Sequence, residues 1–182
     1  ERKRKANVKY NIETGEQYKI RLVNYHFGDS VLETLFYEDS ANTLLQPGTA
    51  FDFDLLENHR NTIADLYKNN GFYYVSRDDI SYLADSSRFD TDIVLDMFIG
   101  NVNEPDSLRK FSKYHLGHFY ISLLSGSTSF DAPQVPEEAF ADTVSWNNYT
   151  LFRSNEMKYK PGLFEDLMQM ESGNLYRLKD AK

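Results

Sequence analysis

His115 and His118, three apart in KYHLGHFYISLL, are the first side chains in this sequence that could converge on a metal ion. On a helix that spacing puts both on one face, as a zinc site requires. The surrounding residues read as a strand, where positions three apart point to opposite faces, so a shared metal is not expected. His26 and His59 stand alone, and a lone histidine at helical spacing reads as a packing residue. The acidic pairs Asp52/Asp54, Asp78/Asp79 and Asp90/Asp92 could supply two carboxylates for glycoside hydrolysis or oxygens for Ca²⁺. Each falls at an expected helix start, strand or turn, where a cap or a solvated charge is sufficient, and none has calcium-loop spacing.

Other chemical signatures are missing from the 182 residues. No Gly-x-Ser-x-Gly elbow, Gly-x-Gly-x-x-Gly run or phosphate loop ending in Gly-Lys-Ser/Thr occurs. Without cysteine there is no disulfide, thiolate nucleophile or Cys-ligated metal. Asn148-Tyr-Thr matches a three-residue glycosylation sequon, a weak motif. The sequence therefore assigns no catalytic residue, cofactor or metal, and the expectation is a protein that is not an enzyme.

Bulk properties narrow the classes further. Twenty Lys+Arg against 28 Asp+Glu give a net charge of −8, the wrong sign for a nucleic-acid binder. The one basic cluster, Arg2, Lys3, Arg4 and Lys5, reads as a solvated strand end. A hydrophobic content of 41% with 13 Tyr and 13 Phe supplies a core and excludes general disorder. No stretch reaches the ~18–20 apolar residues of a transmembrane helix, and none reads as a signal peptide. A start without Met, in mid-pattern, is expected of a piece of a longer protein.

The elements follow from periodicity. Ala6, Val8, Tyr10 and Ile12 alternate up to Thr14-Gly15, and Tyr18, Ile20 and Leu22 alternate after it, so both read as strands. Asp29 or Ser30 caps a short helix with Val31, Leu32, Leu35 and Phe36. Asp52 or Asp54 opens a longer helix, with Glu57 placed for a capping box; Leu56, His59, Ile63, Leu66 and Tyr67 share one face, and Asn70-Gly71 stops it. Strands are expected over about 72–84 and 91–101, with Ile93, Leu95, Met97 and Ile99 alternating against Asp92, Val94, Asp96 and Phe98, joined by DSSRFD. Beyond NVNEPDS come a strand over 114–124, a Ser/Pro/Gly loop, a strand over 143–153 containing Trp146, and a short helix over 163–170. Near the end, Gly173 and Tyr176 repeat the spacing of Gly48 and Phe51, a partial internal repeat.

The stretch LLQPGTAFDFDLLENHRNTIADLYKNNGFYYVSRDDISYLAD, residues 44–85, together with RKANVKYNIETGEQYKIRLVNY, residues 4–25, resembles the periplasmic POTRA (polypeptide-transport-associated) repeats of outer-membrane assembly factors, the BamA and TamA group of the surface-antigen family. The resemblance implies an α+β fold of tandem β-α-α-β-β units, each a small three-stranded mixed sheet with two helices on one face. Residues 1–14 would be the last strand of a preceding repeat, 15–103 a complete unit, and 104–182 a second unit, C-terminally truncated and carrying an inserted loop and strand.

What the resemblance implies about function is a scaffold or chaperone-like module on the periplasmic face of the outer membrane of a Gram-negative bacterium, with a membrane β-barrel C-terminal in the parent chain. Its partners would be unfolded outer-membrane proteins or accessory assembly subunits, taken up as an added strand on a sheet edge. The expected edge is the strand over 72–84, with Phe72, Tyr73, Tyr74, Val75, Ser76, Arg77, Ile80 and Tyr82 as the binding residues. Tyr73 and Val75 are odd-numbered while Ile80 and Tyr82 are even, so a bulge within 76–79 is expected to restore the phase, and Arg77, Asp78 and Asp79 would guard the edge against aggregation. Two other classes compete: an architectural spacer, and an envelope carbohydrate binder stacking sugars on its tyrosines and Trp146.

Overall fold

Strand β1, Lys19–Phe27, turns Ile20, Val23, Tyr25 and Phe27 toward the core. An even-numbered residue can join three odd-numbered ones because the register slips between Ile20 and Leu22, a one-residue irregularity that flips the face. Leu22, expected inside, is therefore half-exposed. The computed structural model describes residues 8–39, 45–87, 90–100, 107–123, 142–153, 163–164 and 170–181.

Asp29 ends β1's extension and caps helix α1, Ser30–Glu38, its Oδ1 accepting from the Val31 N–H at 2.7 Å. Leu32 and Phe36, one turn apart, are the buried face, and Phe36 packs on the Tyr25 and Phe27 rings at 4.9 and 5.3 Å. The chain then returns along the start of β1: Gly48 N–H donates to Ile20 O, Ile20 N–H to Thr49 O, and Phe51 N–H to Tyr18 O, all within 2.8 Å. Asp52 caps helix α2, Phe53–Asn69, by accepting from Asp54 N–H at 3.0 Å. Glu57 bonds Arg60 at 2.7 Å instead of closing the expected capping box. Leu56, His59, Ile63, Ala64 and Tyr67 form the buried stripe, and the Tyr67 hydroxyl donates to Leu32 O at 3.0 Å, tying the two helices.

The segment after α2 departs from expectation. Residues 72–76 form no strand; they turn, bury Phe72 and Val75, and lead into a 3-10 turn, Arg77–Asp79. Ser76 and Asp79 cap that turn reciprocally: Asp78 N–H donates to Ser76 Oγ, and Ser76 N–H donates to Asp79 Oδ2 at 2.8 Å. The phase conflict between Val75 and Ile80 is thus resolved by a capped helical turn in place of a bulge. Strand β2, Ile80–Asp85, begins only there, and strand β3, Asp92–Ile99, follows with Ile93, Leu95, Met97 and Ile99 buried as the alternation predicts. β3 is central, parallel to β1 and antiparallel to β2, giving the order β1-β3-β2. Both helices cover one face of this mixed sheet, and the core lies between.

Short helix α3, Ser107–Lys110, leads to a second mixed sheet: β4, Phe119–Leu123, is parallel to β6, Tyr149–Arg153, which is antiparallel to β5, Asp142–Trp146. The fold is α+β with two three-stranded sheets. The single strand expected over 143–153 is a hairpin, because Asn147 takes a left-handed turn conformation, φ 46°, that asparagine tolerates. The strand expected from 114 starts at Phe119. Val8, Tyr10 and Ile12 are in no strand: alternation provides a face, but a strand also needs a partner ladder. Most of the Ser/Pro loop, NVNEPDS and the helix expected over 163–170 lie outside the described residues.

The internal repeat is geometrically close. Gly48 and Gly173 share left-handed φ angles of 86° and 87°. Gly173 N–H donates to Leu116 O, Leu116 N–H to Asn174 O, and Tyr176 N–H to Tyr114 O, the same scheme as the first return. Among the described residues, β5 and β6 come before this second return in chain order, whereas α1 comes before the first.

Candidate partner-binding site

Seven of the eight residues expected on one edge separate into three groups. Phe72, Val75 and Ile80 are buried in the first core, Phe72 meeting the Tyr67 ring edge-on at 6.1 Å. Ser76 caps the 3-10 turn, and exposed Arg77 sits 3.8 Å from Glu57 and 3.9 Å from Asp78. Tyr73 and Tyr74, 49% and 38% exposed, belong to a joint between the units. Tyr73 meets Tyr176 at 4.9 Å and Tyr114 at 6.4 Å, and Tyr74 meets Tyr114 at 5.1 Å. Arg109 Nη2 donates to the Tyr74 hydroxyl at 2.6 Å, and its guanidinium carbon lies 4.4 Å from the ring centroid.

Backbone and ionic ties reinforce that joint. Tyr114 N–H donates to Gly71 O at 2.9 Å, and Lys179 N–H to Asn69 Oδ1 at 2.9 Å. Lys110 pairs at 2.8 Å with Asp79, whose side chain is nearly buried. Lys179 also lines an open groove of about 740 Å³, together with Leu35, Glu38, Asp65, Leu66 and Asn69. Sequence reasoning read residues 72–75 as a sticky edge because packing aromatics and edge aromatics are the same residue types; only Tyr176, one half of the repeat, hinted at a joint.

Two of the eight, Ile80 and Tyr82, lie in an edge strand with their backbone turned outward, and the Ile80 N–H is already taken by Arg77 O. Asp79 O accepts from Gly100 N–H at 2.9 Å, which directs odd-numbered residues of this ladder toward β3. The N–H and C=O groups of Tyr82 and Ala84 therefore face away from β3, and among the described residues no hydrogen bond reaches them. The opposite edge is different: at its start, β1 is covered by the return at residues 48–51. On the helix-free face beside β2, Leu83 is 61% exposed and Phe98 40%. In the middle of that face Asp96 accepts from Asn24 Nδ2 and bonds His26 Nε2, each at 3.0 Å, and these bonds, His26's foremost, hold its carboxyl below the usual range.

Tyr82 is anchored from inside. Its hydroxyl and His59 Nδ1 are 2.6 Å apart, linking β2 to α2. His59 is fully buried, and desolvation lowers its pKa to about 4, so it is neutral at pH 7; burial raises the Tyr82 hydroxyl. This is the packing role expected of His59. His115 forms a bridge with Leu175, while His118 Nε2 bonds Thr150 Oγ1 at 2.8 Å. Among the described residues no group of three or more His, Asp or Glu side chains could hold a metal ion. Of the acidic pairs, Asp52 caps α2, Asp79 caps and pairs, and Asp92 bonds Arg21 at 3.2 Å. Trp146 is half-buried and stacks on Tyr149, which stacks on Phe119, a ladder across the second sheet. Among the described residues no helix is long and apolar enough to cross a membrane.

No family model matches the chain, and no curated protein matches it. Among solved structures it is similar to POTRA1-2 of the periplasmic domain of Omp85 from Anabaena, at 11% identity over 91% of this chain and 74% of that chain, with a TM-score of 0.33.

Proposed function

We propose that this chain is a pair of POTRA-like units serving as a periplasmic scaffold in an outer-membrane protein assembly factor, and that it takes an extended segment of a client or accessory protein on the free edge of β2. The sequence pattern of residues 44–85 supports the family reading, together with the β-α-α-β-β order and mixed sheet of residues 19–99. The observation that carries the binding mode is the outward backbone of Tyr82 and Ala84. A peptide paired there bonds main chain to main chain, so clients of many sequences fit, and Leu83 and Phe98 offer apolar contact to alternate side chains. In the parent protein a membrane β-barrel would follow these units.

Amide shifts of the labelled chain, titrated with peptides that alternate like outer-membrane strands, test this. The expected outcome is perturbation centred on Tyr82 and Ala84, abolished by Ala84→Pro, which removes an outward donor while leaving the β3 ladder intact. Shifts that map away from β2, or undiminished binding by a folded Ala84→Pro variant, overturn the edge mode. A second reading, the architectural spacer, is favoured by the Gly71–Tyr114 tie and the tyrosine joint, which fix one unit against the other. It predicts a rigid pair without peptide binding.

A further inference from the structure

We infer that Asp79 is a positioning residue that couples the seating of the second unit to the order of the β2 edge, so that the edge takes an extended segment best while the two units are joined. The inference rests on the strand-accepting reading of β2 and adds the regulation of that site. One carboxyl group serves both ends. Asp79 Oδ2 accepts from the Ser76 N–H at 2.8 Å and from Ser76 Oγ at 3.1 Å, which closes the 3-10 turn of residues 77–79. Its Oδ1 accepts from Lys110 Nζ at 2.8 Å. The Asp79 backbone oxygen accepts from Gly100 N–H at 2.9 Å, the rung just outside the β2–β3 ladder, and β2 begins at the next residue, Ile80.

The Asp79 side chain is 6% exposed, so its charge depends on protein partners instead of water, and among the described residues Lys110 is its one ion-pair partner. Lys110 reaches it because α3 is seated. The adjacent Arg109 bonds the Tyr74 hydroxyl, Phe111 packs against the first core, and Tyr114 N–H bonds Gly71 O. Residues 71–84 thus run unbroken from the joint, through the capped turn, to the outward groups of Tyr82 and Ala84. Two arrangements follow. With the units seated, Lys110 balances Asp79 and the turn delivers an ordered β2. With α3 displaced, the carboxylate loses its cation and draws in water, and the Ser76 and Gly100 bonds open at the start of the edge. Arg60, whose Nε donates to Arg77 O at 2.9 Å, still holds the turn from within the first unit, so the unit stays folded. A segment paired on β2 favours the ordered edge and, by reciprocity, the seated joint.

Lys110→Met in the full chain removes the cation and keeps the apolar stem. Amide exchange at Ser76, Asp79 and Gly100 should quicken by roughly tenfold, while Ile93 and Leu95 in the centre of β3 stay as they were. Lys110→Arg should exchange as the original chain does. Equal exchange in Lys110→Met and the original chain, or a quickening spread evenly to Ile93 and Leu95, overturns the coupling. Both proteins are then titrated with a peptide of about ten residues alternating Thr with Val and Tyr. Half-maximal shifts at Tyr82 and Ala84 should need about fivefold more peptide in Lys110→Met, and saturating peptide should slow exchange at the Tyr114 amide of the original chain. Equal affinity for both proteins overturns the coupling. A peptide that shifts neither Tyr82 nor Ala84 in the original chain overturns the strand-accepting reading, while the exchange comparison still decides whether Asp79 ties the joint to the turn.

Discussion

The carbonyl of Gly71 accepts a hydrogen bond from the N–H of Tyr114 at 2.9 Å, joining the end of the first unit's long helix to the start of the second unit's strand. It also accepts from Tyr73 N–H at 3.0 Å, so a single peptide group both turns the chain out of α2 and seats the next unit. The residue has to be glycine on two counts. Its φ is +96°, and a Cβ there would lie 2.6 Å from Leu175 Cδ1.

Gly71→Ala and Gly48→Ala separate those two effects. Both sites have positive φ, but nothing lies within 4 Å of a Cβ at Gly48. Gly48→Ala is expected to cost about 1–2 kcal/mol of backbone strain in denaturant unfolding. Gly71→Ala should cost more and should also speed amide exchange at Tyr114. Equal costs and unchanged exchange would mean that Leu175 moves aside freely.

Acidification should weaken the fold through His59. Its folded pKa of about 4 lies below the ordinary 6.5, so between those values the unfolded chain binds the extra proton. Stability is full above pH 6.5 and falls as pH drops toward 4, by about 3 kcal/mol for this one group. The pH slope of stability should largely vanish over that window in His59→Gln. On the alkaline side the signs reverse: burial raises Tyr67 and Tyr82, so their contribution is lost as pH climbs past 10.

Tyr67→Phe removes the hydroxyl that donates to Leu32 O and leaves that buried carbonyl without this donor. The expected loss is about 1–2 kcal/mol in chemical denaturation, with little change in the far-UV spectrum. A loss below a few tenths would show that the helix pair is held by its apolar contacts alone.

Ser76→Ala tests the capped turn that replaced the expected bulge. Removing Oγ deletes the acceptor for Asp78 N–H and one bond to Asp79. A cost of about 1 kcal/mol is expected, measured by thermal unfolding. Asp79→Ala should cost more, since it also deprives Lys110 of its 2.8 Å partner across the joint.

Several elements were legible in the residues alone. Asp29 and Asp52 as caps, the stripe from Leu56 to Tyr67, the glycine stop and the burial parity of β3 depend on neighbours one turn or two residues away, so local pattern suffices. The pairing of Gly48 with Gly173 was visible as repeated spacing, and it proved to repeat hydrogen bonds as well. Legibility failed where partners are distant. The start of β1 reads as regular alternation, yet a register slip puts Leu22 outside; the turn at Asn147 divides what reads as one strand.

The candidate site shows the same boundary most sharply. That residues 71–85 hold a helix stop, a cluster of aromatics and a charged interruption was determined by the sequence by itself, as was the prospect of an exposed strand edge. Only the tertiary structure decided that Tyr73 and Tyr74 face Tyr114 and Tyr176, and that the outward edge begins at Ile80. The physical reason is that an aromatic ring or a backbone N–H has the same local preferences whether its partner is a neighbouring strand, a client or a second unit some 40 to 100 residues along the chain. Which partner it meets is settled by where the fold brings those distant residues together.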